Sequence, residues 1–500
     1  MMKVKYFYRI LFSLLCIQLG LYIFSLFGRE VDIDDAWLGE HAYFMAKDGH
    51  VHSELMRGWD FQEDRVLIHH KLMTLLGVVF INTLGFSVYS LKAVSLVFFI
   101  LFLAAFYYIM VRWKKALNHR QFIIASFLIF TFHYTFKFSF LFRPEIIIMF
   151  LVFISWYLLE ITINSKRTTW HVTLITGILG GLCVVAHLNG VAVVLAGGIL
   201  LLWNRKWNHI IPYSLGVIIG LSLYFYDFNS EYGFLFWKNQ LFQSVLGNDS
   251  STSNIMAYMA NNLLKEHMRF FHNPSIIGFS LLFFTLLTGG FKYLKINHRI
   301  MLQYTFLLWL FVALVFTQKS RQYILIYFPF FVFFMTLILD KLINNMPGLA
   351  NWIYRKPSKI MILLLAIFYL VSTSYYNIQT AKSKFIPDYN RALSLTYFPE
   401  NHATLNIVAP MEFIFNEITY FHCIQGERLY TTLKAHDKSI CGAGFLTKTR
   451  EFDIDYIILS PPYRRDLGMQ SLKVGDTLAH FRVLCNTHNM IILKYEPAAL

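Results

Sequence analysis

Long apolar runs alternate with short polar loops along most of this chain. An apolar run of about 20 residues is enough to cross the roughly 30 Å hydrocarbon core of a bilayer as a helix. The first such run is Tyr6 to Phe27. Others follow at Ser90 to Val111, Phe122 to Phe136, Glu145 to Ile163, His171 to Ala186, Asn189 to Trp203 and Ile210 to Tyr226. The last four are Pro274 to Phe291, Ile300 to Phe316, Tyr323 to Leu342 and Lys359 to Tyr376. Leu72 to Leu84 is shorter, contains Asn82, and reads as an interfacial or re-entrant helix. After Tyr376 the pattern changes, charge rises and apolar runs shrink to strand length. Leu405 to Val408, Tyr456 to Leu459 and Met490 to Tyr495 predict β-strands, and Asn416 to Phe421 predicts a helix. The predicted fold class is mainly α: a polytopic transmembrane helical bundle over residues 1–376, with a small extracytoplasmic α/β domain over 377–500.

The charge of the loops fixes an expected orientation. With the N-terminus in the cytoplasm, the inner loops hold Arg112, Lys114, Lys115 and Arg120, then Lys166 and Arg167, then Arg205 and Lys206. The later ones hold Lys292, Lys295 and Arg299, then Lys341, Arg355 and Lys356. All of these short basic loops fall on one side, which is the positive-inside pattern, and the count is about eleven spans. Counting Leu72 to Leu84 as a span would reverse every one of them. The expectation is therefore a multi-pass inner-membrane protein, N-terminus inside and C-terminal domain periplasmic. Lys3, Lys5 and Arg9 precede a first run long enough to span, and no small-residue cleavage site follows, so that run reads as an uncleaved anchor.

Composition agrees with a membrane protein. Of the 500 residues 56% are hydrophobic and only 15% are charged, against roughly 25% charged in soluble domains. The net charge of +15 would suit nucleic acid in a soluble protein. Here the cations sit in membrane-flanking loops, and no nucleic-acid partner is expected. Cys16 and Cys183 lie in spans and read as inert core residues. Cys423, Cys441 and Cys485 fall in the outer domain; a Cys423–Cys441 disulfide stays open, and the odd count argues against it. No CxxC or His/Cys metal-ligand spacing appears, and no cofactor is expected.

The chemistry concentrates in the first outer loop, residues 28–70. It carries Asp34 and Asp35, then Trp37, Glu40, Arg57, Trp59, Asp60, Glu63, Asp64 and Arg65, and ends in His69 and His70. Read on its residues alone, the Asp34-Asp35 pair is balanced between a solvated cap for a helix starting at Ala36 and a catalytic acid–base group. His69 and His70 are adjacent on a helix, point apart, and do not suit joint metal ligation. Trp37 and Trp59 fit an interfacial aromatic belt. Arg143, Pro144 and Glu145 open a span, either as a snorkelling interfacial pair or as substrate contacts. Lys319 and Arg321 occupy a short outer loop, against the positive-inside trend, and a lipid phosphate would give such cations a purpose. Lys92, near the start of a span, reads as snorkelling, with a phosphate contact as the second choice. His187 reads as a packed turn residue.

Taken in order, these residues resemble membrane glycosyltransferases of the GT-C class, most nearly the branch of protein O-mannosyltransferases and lipid A aminoarabinose transferases. Asp34-Asp35, Ala42 and Gly49 stand where that class opens with Asp-Glu, Ala and Gly. His69-His70-Lys71-Leu72 takes the place of a His/Lys-Pro-Pro-Leu motif, without the prolines. Gly85, Ser87, Lys92 and Ser95 follow a Gly-Ser-Arg-Ser pattern, with Lys for Arg. Arg143-Pro144-Glu145, the stretch from Gly177 to Gly190, and the Arg321, Tyr323, Pro329 run continue the order. The resemblance implies a GT-C-like bundle and a metal-independent, inverting enzyme. The donor it implies is a sugar on a polyprenyl-phosphate carrier, and the acceptor a lipid, glycan or protein on the outer face. It assigns catalysis to Asp34, as general base, and Asp35, as its orienting neighbour or a cap. Substrate binding falls to Arg143, Glu145, Arg321, Lys319, His69, His70 and Lys92. The alternatives are a transporter or flippase for lipid-linked glycans and a non-catalytic membrane assembly factor. A transporter calls for matched repeats and midplane charges, whereas these charges gather at the outer face.

Overall fold

The computed structural model describes the chain except residues 1, 57–61, 166–168, 228–233, 235–236, 239, 241–254, 292–293, 295–297, 317–318, 345–356, 384–386, 399–401, 428, 438 and 498–500. Arg57, Trp59 and Asp60 therefore lie outside the described residues, as do the loop cations Lys166, Arg167, Lys292, Lys295, Arg355 and Lys356.

Each expected span is helical, and polar residues at the ends explain where the helices begin. α1 is Met2–Leu26 and α2, in the first outer loop, is Ile33–Asp48. α3 is Lys71–Leu84, and α4 is Val88–Tyr107, continued by a π-helical turn to Trp113. Ser87 starts α4 by accepting the Ser90 N–H, 3.0 Å away. α5 (His119–Thr131) opens on a reciprocal Asn118–Gln121 capping box. A short α6 (His133–Phe138) precedes α7 (Glu145–Asn164). α8 (Trp170–Ala186), α9 (Val191–Trp203) and α10 (Ile210–Ser222) follow. α11 (Ile255–Leu264) and α12 (His267–Phe270) bend by 105° into α13 (Pro274–Gly290). α14 (Arg299–Val315), α15 (Phe328–Asn344) and α16 (Pro357–Lys382) complete the bundle.

Among the described residues five helices are long and apolar enough to cross a membrane by themselves, and there are several shorter apolar helices besides. The tightest seam joins α8 to α10. Gly177 and Gly181 face Gly216 and Gly220, and a Cβ at any of the four would run into the opposing backbone. Such small-residue stripes let helices approach closely where lipid supplies no hydrophobic drive between them.

The loops expected on one side of the membrane meet at one end of the bundle. Residues of the first outer loop touch the α6–α7 connection, the segment after α10 and the end of α16. The opposite end carries its own polar clamps. Asp340 of α15 accepts the Tyr8 hydroxyl at 2.6 Å and the Gln121 amide at 2.9 Å, and Lys114 pairs with Glu160.

The C-terminal part folds around a six-stranded mixed sheet of order β2-β1-β3-β6-β5-β4. β1 (Asn406–Ala409), β3 (Tyr456–Leu459) and β6 (Ile491–Tyr495) match the expected strands. β2 (Cys423–Gly426), β4 (Thr477–Leu478) and β5 (Phe481–Asn486) were not expected. β2 contains buried Gln425, and β5 alternates buried Phe481 and Val483 with exposed Arg482, so neither makes an apolar run. The helix expected at Asn416 to Phe421 lies earlier, at Met411–Glu417, directly after Pro410. Cys441 carries a free thiol, and the side chain of Cys423 lies outside the described residues. The sheet is not a loose appendage. Phe44 of α2 belongs to the same apolar cluster as Ile407, Phe413 and Ile492, so the first outer loop is held between the bundle and the sheet.

Candidate active site

The first turn of α2 decides the fate of the paired aspartates. The helix starts earlier than expected, at Ile33, and its N-cap is Asp32. The Asp32 carboxylate accepts the Asp34 N–H at 3.4 Å, and the Asp35 carboxylate reaches back to the Asp32 N–H at 2.9 Å. That is a capping box, so neither aspartate of the pair is the cap residue itself. Asp35 is fully buried. Its Oδ1 accepts the Phe142 N–H at 2.7 Å and its Oδ2 lies 3.1 Å from Lys92 Nζ. Both oxygens are occupied, and the carboxylate ties α2 to α4 and to the α6–α7 connection.

Lys92 is thereby corrected. It does not snorkel to the interface: its side chain is buried, and it donates to the Glu30 carbonyl at 2.5 Å besides pairing with Asp35.

Asp34 is different. It is partly exposed and pairs with Arg143 Nη1. Arg143 in turn grips the buried Glu145 with Nε and Nη2, at 2.8 to 3.1 Å. The guanidinium also lies 5.4 Å from the centre of the Phe138 ring. Sequence places Asp34 and Arg143 more than a hundred positions apart; the fold makes them partners. Of the adjacent pair, only Asp34 has a side chain that a substrate could reach.

His69 and His70 do point apart. His69 is buried, with Nδ1 3.0 Å from Thr74 Oγ1 and Nε2 3.6 Å from Asp227. Asp227 also pairs with Lys71, whose ammonium lies 4.9 Å from the Tyr226 ring centre. Burial alone would raise the Asp227 carboxyl, but the neighbouring His69 imidazole and the Lys71 charge hold it below the usual carboxylate range. His70 stacks on His187 with ring centres 4.7 Å apart. Burial, with the His69 imidazole beside it, pushes His70 down to about 4, so it is neutral at pH 7. His187 is a turn residue that works: it accepts the Asn189 N–H at 3.0 Å and shares a 3.0 Å hydrogen bond with the Tyr323 hydroxyl. Trp37 lies beside His70 and His41 rather than alone in an interfacial belt.

Lys319 and Arg321 separate. Lys319 is nearly buried and 3.0 Å from Glu266, which also binds Arg269 at 2.7 Å. Arg269 then donates to the Ser320 carbonyl at 2.7 Å. The Lys319 charge is thus spent inside the fold and braces the turn before Arg321. Arg321 itself is exposed, opens the 3-10 turn Arg321–Ile326, and is taken by none of the described ion pairs. It lies within electrostatic reach of His133 and Tyr134 on α6.

Sequence reasoning missed Asp32, Lys137, Arg29, Asp227 and Arg269. Lys137 Nζ pairs with Asp32 Oδ2 at 2.8 Å. Only one signal could have found these residues: each is a charged side chain at the outer end of a span, where burying a charge calls for a partner.

With the geometry in hand, comparison with solved structures places the architecture. The chain is similar to ArnT from Cupriavidus metallidurans, crystallised bound to undecaprenyl phosphate, with a TM-score of 0.58, 11% identity and 98% coverage of both chains. It is also similar to the apo form of the Archaeoglobus fulgidus oligosaccharyltransferase, with a TM-score of 0.54, 13% identity, and 91% of this chain covered against 70% of that one. No protein-family model and no curated protein sequence matches the chain. The likeness is one of fold: a helical bundle with a small C-terminal α/β unit, over nearly the whole of this chain.

Proposed function

We propose that this chain is a membrane glycosyltransferase. It moves a sugar from a polyprenyl-phosphate carrier to a hydroxyl on a lipid, glycan or protein at the outer face of the inner membrane. The observation that carries the reading is the reachable Asp34 carboxylate, held by Arg143, which Glu145 grips in turn, at one end of a GT-C-like bundle. The neighbouring folds support the donor class, since one of them was crystallised with undecaprenyl phosphate.

The chemistry follows from that placement. The acceptor oxygen attacks the anomeric carbon as the bond from that carbon to the phosphate oxygen breaks. The electron pair leaves on the carrier phosphate, and the acceptor proton passes to Asp34. A single displacement of this kind inverts the anomeric centre. The departing phosphate gains charge, and Arg321, exposed on the same face, is suited to stabilise it by a forked contact. Asp35 and Lys92 position Asp34 by locking the first turn of α2 to the bundle.

The test is deletion of the gene followed by identification of the polyprenyl-linked sugar that accumulates. Return of the wild-type chain clears that sugar, and return of Asp34→Asn leaves it. No accumulation in the deletion strain would end the reading.

A further inference from the structure

The stretch between α10 and α13 reads in the sequence as one polar loop, set between the runs that end at Tyr226 and begin at Pro274. The fold gives part of it another character. α11 and α12 run on together and then turn by 105° into α13. α13 is apolar along its length and packs against α15 and α16. A helix nearly at right angles to a spanning helix runs along the plane of the membrane.

The side chains of α11 and α12 are arranged inside out. The groups turned into the protein are polar: Asn262, Glu266 and Arg269, at i, i+4, i+7, are all buried. Asn262 donates to the Leu314 carbonyl at 3.1 Å and so fills an orphan acceptor at the end of α14. Glu266 binds Lys319 at 3.0 Å and Arg269 at 2.7 Å, and Arg269 donates to the Ser320 carbonyl at 2.7 Å. The groups turned outward are mostly apolar. Ala260, Leu263 and Leu264 stand at i, i+3, i+4, and Leu264 is 75% exposed. Met268 and Phe271 extend the exposed surface. His267 shares it, with Nδ1 2.7 Å from the Leu264 carbonyl. Exposed Asn261 and Lys265 lie along one edge.

A helix on a soluble protein turns its apolar side inward and its charges to water. Paired charges facing the protein and apolar groups facing out suit a segment bathed in lipid. The apolar surface is also continuous with that of the bundle: exposed Phe284 of α13 lies 5.5 Å, centre to centre, from the Phe270 ring of α12.

We infer that α11 and α12 lie flat in one leaflet of the bilayer, with Leu263, Leu264, Met268 and Phe271 among phospholipid acyl chains. Lys265, at the edge, extends its stem towards the headgroup phosphates. The leaflet is the one on the side of Asp34. Arg269 lies 5.6 Å from the Tyr323 ring centre, and Tyr323 shares a hydrogen bond with His187, which stacks on His70. The bilayer then acts through the inward face. Lipid holds α12, and α12 holds Lys319 and the Ser320 carbonyl, which sets the turn ahead of Arg321. The inference goes beyond the transfer reaction and stands apart from it.

The experiment uses the full chain in nanodiscs of palmitoyl-oleoyl phosphatidylglycerol alone. A photoactivatable benzophenone side chain replaces Leu264 in one preparation, Ile218 of α10 in a second and Val474 in a third. All three positions are exposed, Ile218 on a helix that can span and Val474 in a turn of the C-terminal unit. Benzophenone inserts into neighbouring C–H bonds, and mass spectrometry reads the adduct. The expected result is phospholipid adduct at Leu264, as at Ile218, and none at Val474. A Leu264 preparation that behaves like the Val474 one overturns the inference. So do chain-to-chain adducts at Leu264 in place of lipid, which would give this face to a second copy. Thermal midpoints of Leu264→Glu and Val474→Glu in the same nanodiscs supply the second measurement. A charge placed in lipid is costly, whereas one placed on a wet surface is nearly neutral. Leu264→Glu should lower the midpoint and Val474→Glu should leave it in place. An unchanged midpoint in Leu264→Glu also overturns the inference.

Discussion

Asp35 Oδ2 lies 3.1 Å from Lys92 Nζ, and both groups are buried. This pair divides two adjacent aspartates into a buried one and a reachable one. Asp35 is consumed by a backbone N–H on each side and by Lys92; Asp34, one position earlier, stays within reach of solvent.

The two aspartates should therefore fail differently. Asp34→Asn leaves the capping box intact, because Asp32 and Asp35 form it. Expression and membrane insertion should be normal, with sugar transfer lowered on the order of 10²-fold or more. Asp35→Asn leaves the Lys92 charge buried without a counter-charge, which costs about 3–5 kcal/mol. Its yield and thermal midpoint should drop before any question of turnover arises. The check is a side-by-side assay of folded protein per membrane and of transfer per folded protein. A stable Asp35→Asn with lost turnover would reverse the assignment.

Arg321 should act on the donor. Arg321→Lys keeps the charge and loses the planar fork, so it should raise the donor KM even though the charge is retained. Lys319→Ala should instead lower stability, because it removes one of the two cations on buried Glu266. Steady-state kinetics with varied donor separates the two. Unchanged donor kinetics in Arg321→Ala would remove Arg321 from the site.

α3 should lie on the outer face without crossing. Ile68→Cys and Gly85→Cys bracket it, and both should react with a membrane-impermeant thiol reagent added outside. A periplasm-active reporter fused after Lys382 should be active, and a cytoplasm-active one after Arg120 should be active too. Protection of Gly85→Cys alone would make α3 a span and invert every later loop.

Glu40 should make stability depend on pH. Burial pushes its carboxyl up to about 8, although the Ser53 hydroxyl and the Leu55 and Glu54 N–H groups, at 2.7 to 2.9 Å, pull in the other direction. A carboxyl raised on folding holds its proton more tightly in the folded state. Its contribution is full below the unfolded value of 4.5 and is lost as pH rises towards 8. The thermal midpoint of wild type should fall between pH 6 and pH 9, and Glu40→Gln should flatten that slope. A slope unchanged in Glu40→Gln would assign the dependence to another group.

How much of this was legible beforehand depends on the range over which each feature is determined. The spans were legible because a bilayer demands that each crossing segment be apolar and satisfy its own backbone, a condition written into some twenty consecutive residues. The strands β1, β3 and β6 were legible for the same local reason, as apolar runs between charges. β5 was not, because one face of it is wet and Arg482 interrupts the run. Asp34, Arg143 and Arg321 stood out in the sequence as charges at the ends of apolar runs, where charge is expensive.

What tertiary structure decided is which charge meets which. Asp34 with Arg143, Asp35 with Lys92, Lys71 with Asp227 and Arg269 with Ser320 join segments that no periodicity links. Ion pairs form between whichever chain segments the bundle brings into contact, and helix packing, not sequence proximity, sets those contacts. The same local pattern of two aspartates at a helix start could give two solvated groups or one buried strut and one reachable carboxylate. Only the approach of α4 and the α6–α7 connection, delivering Lys92 and the Phe142 N–H to one carboxylate and Arg143 to the other, makes them unlike.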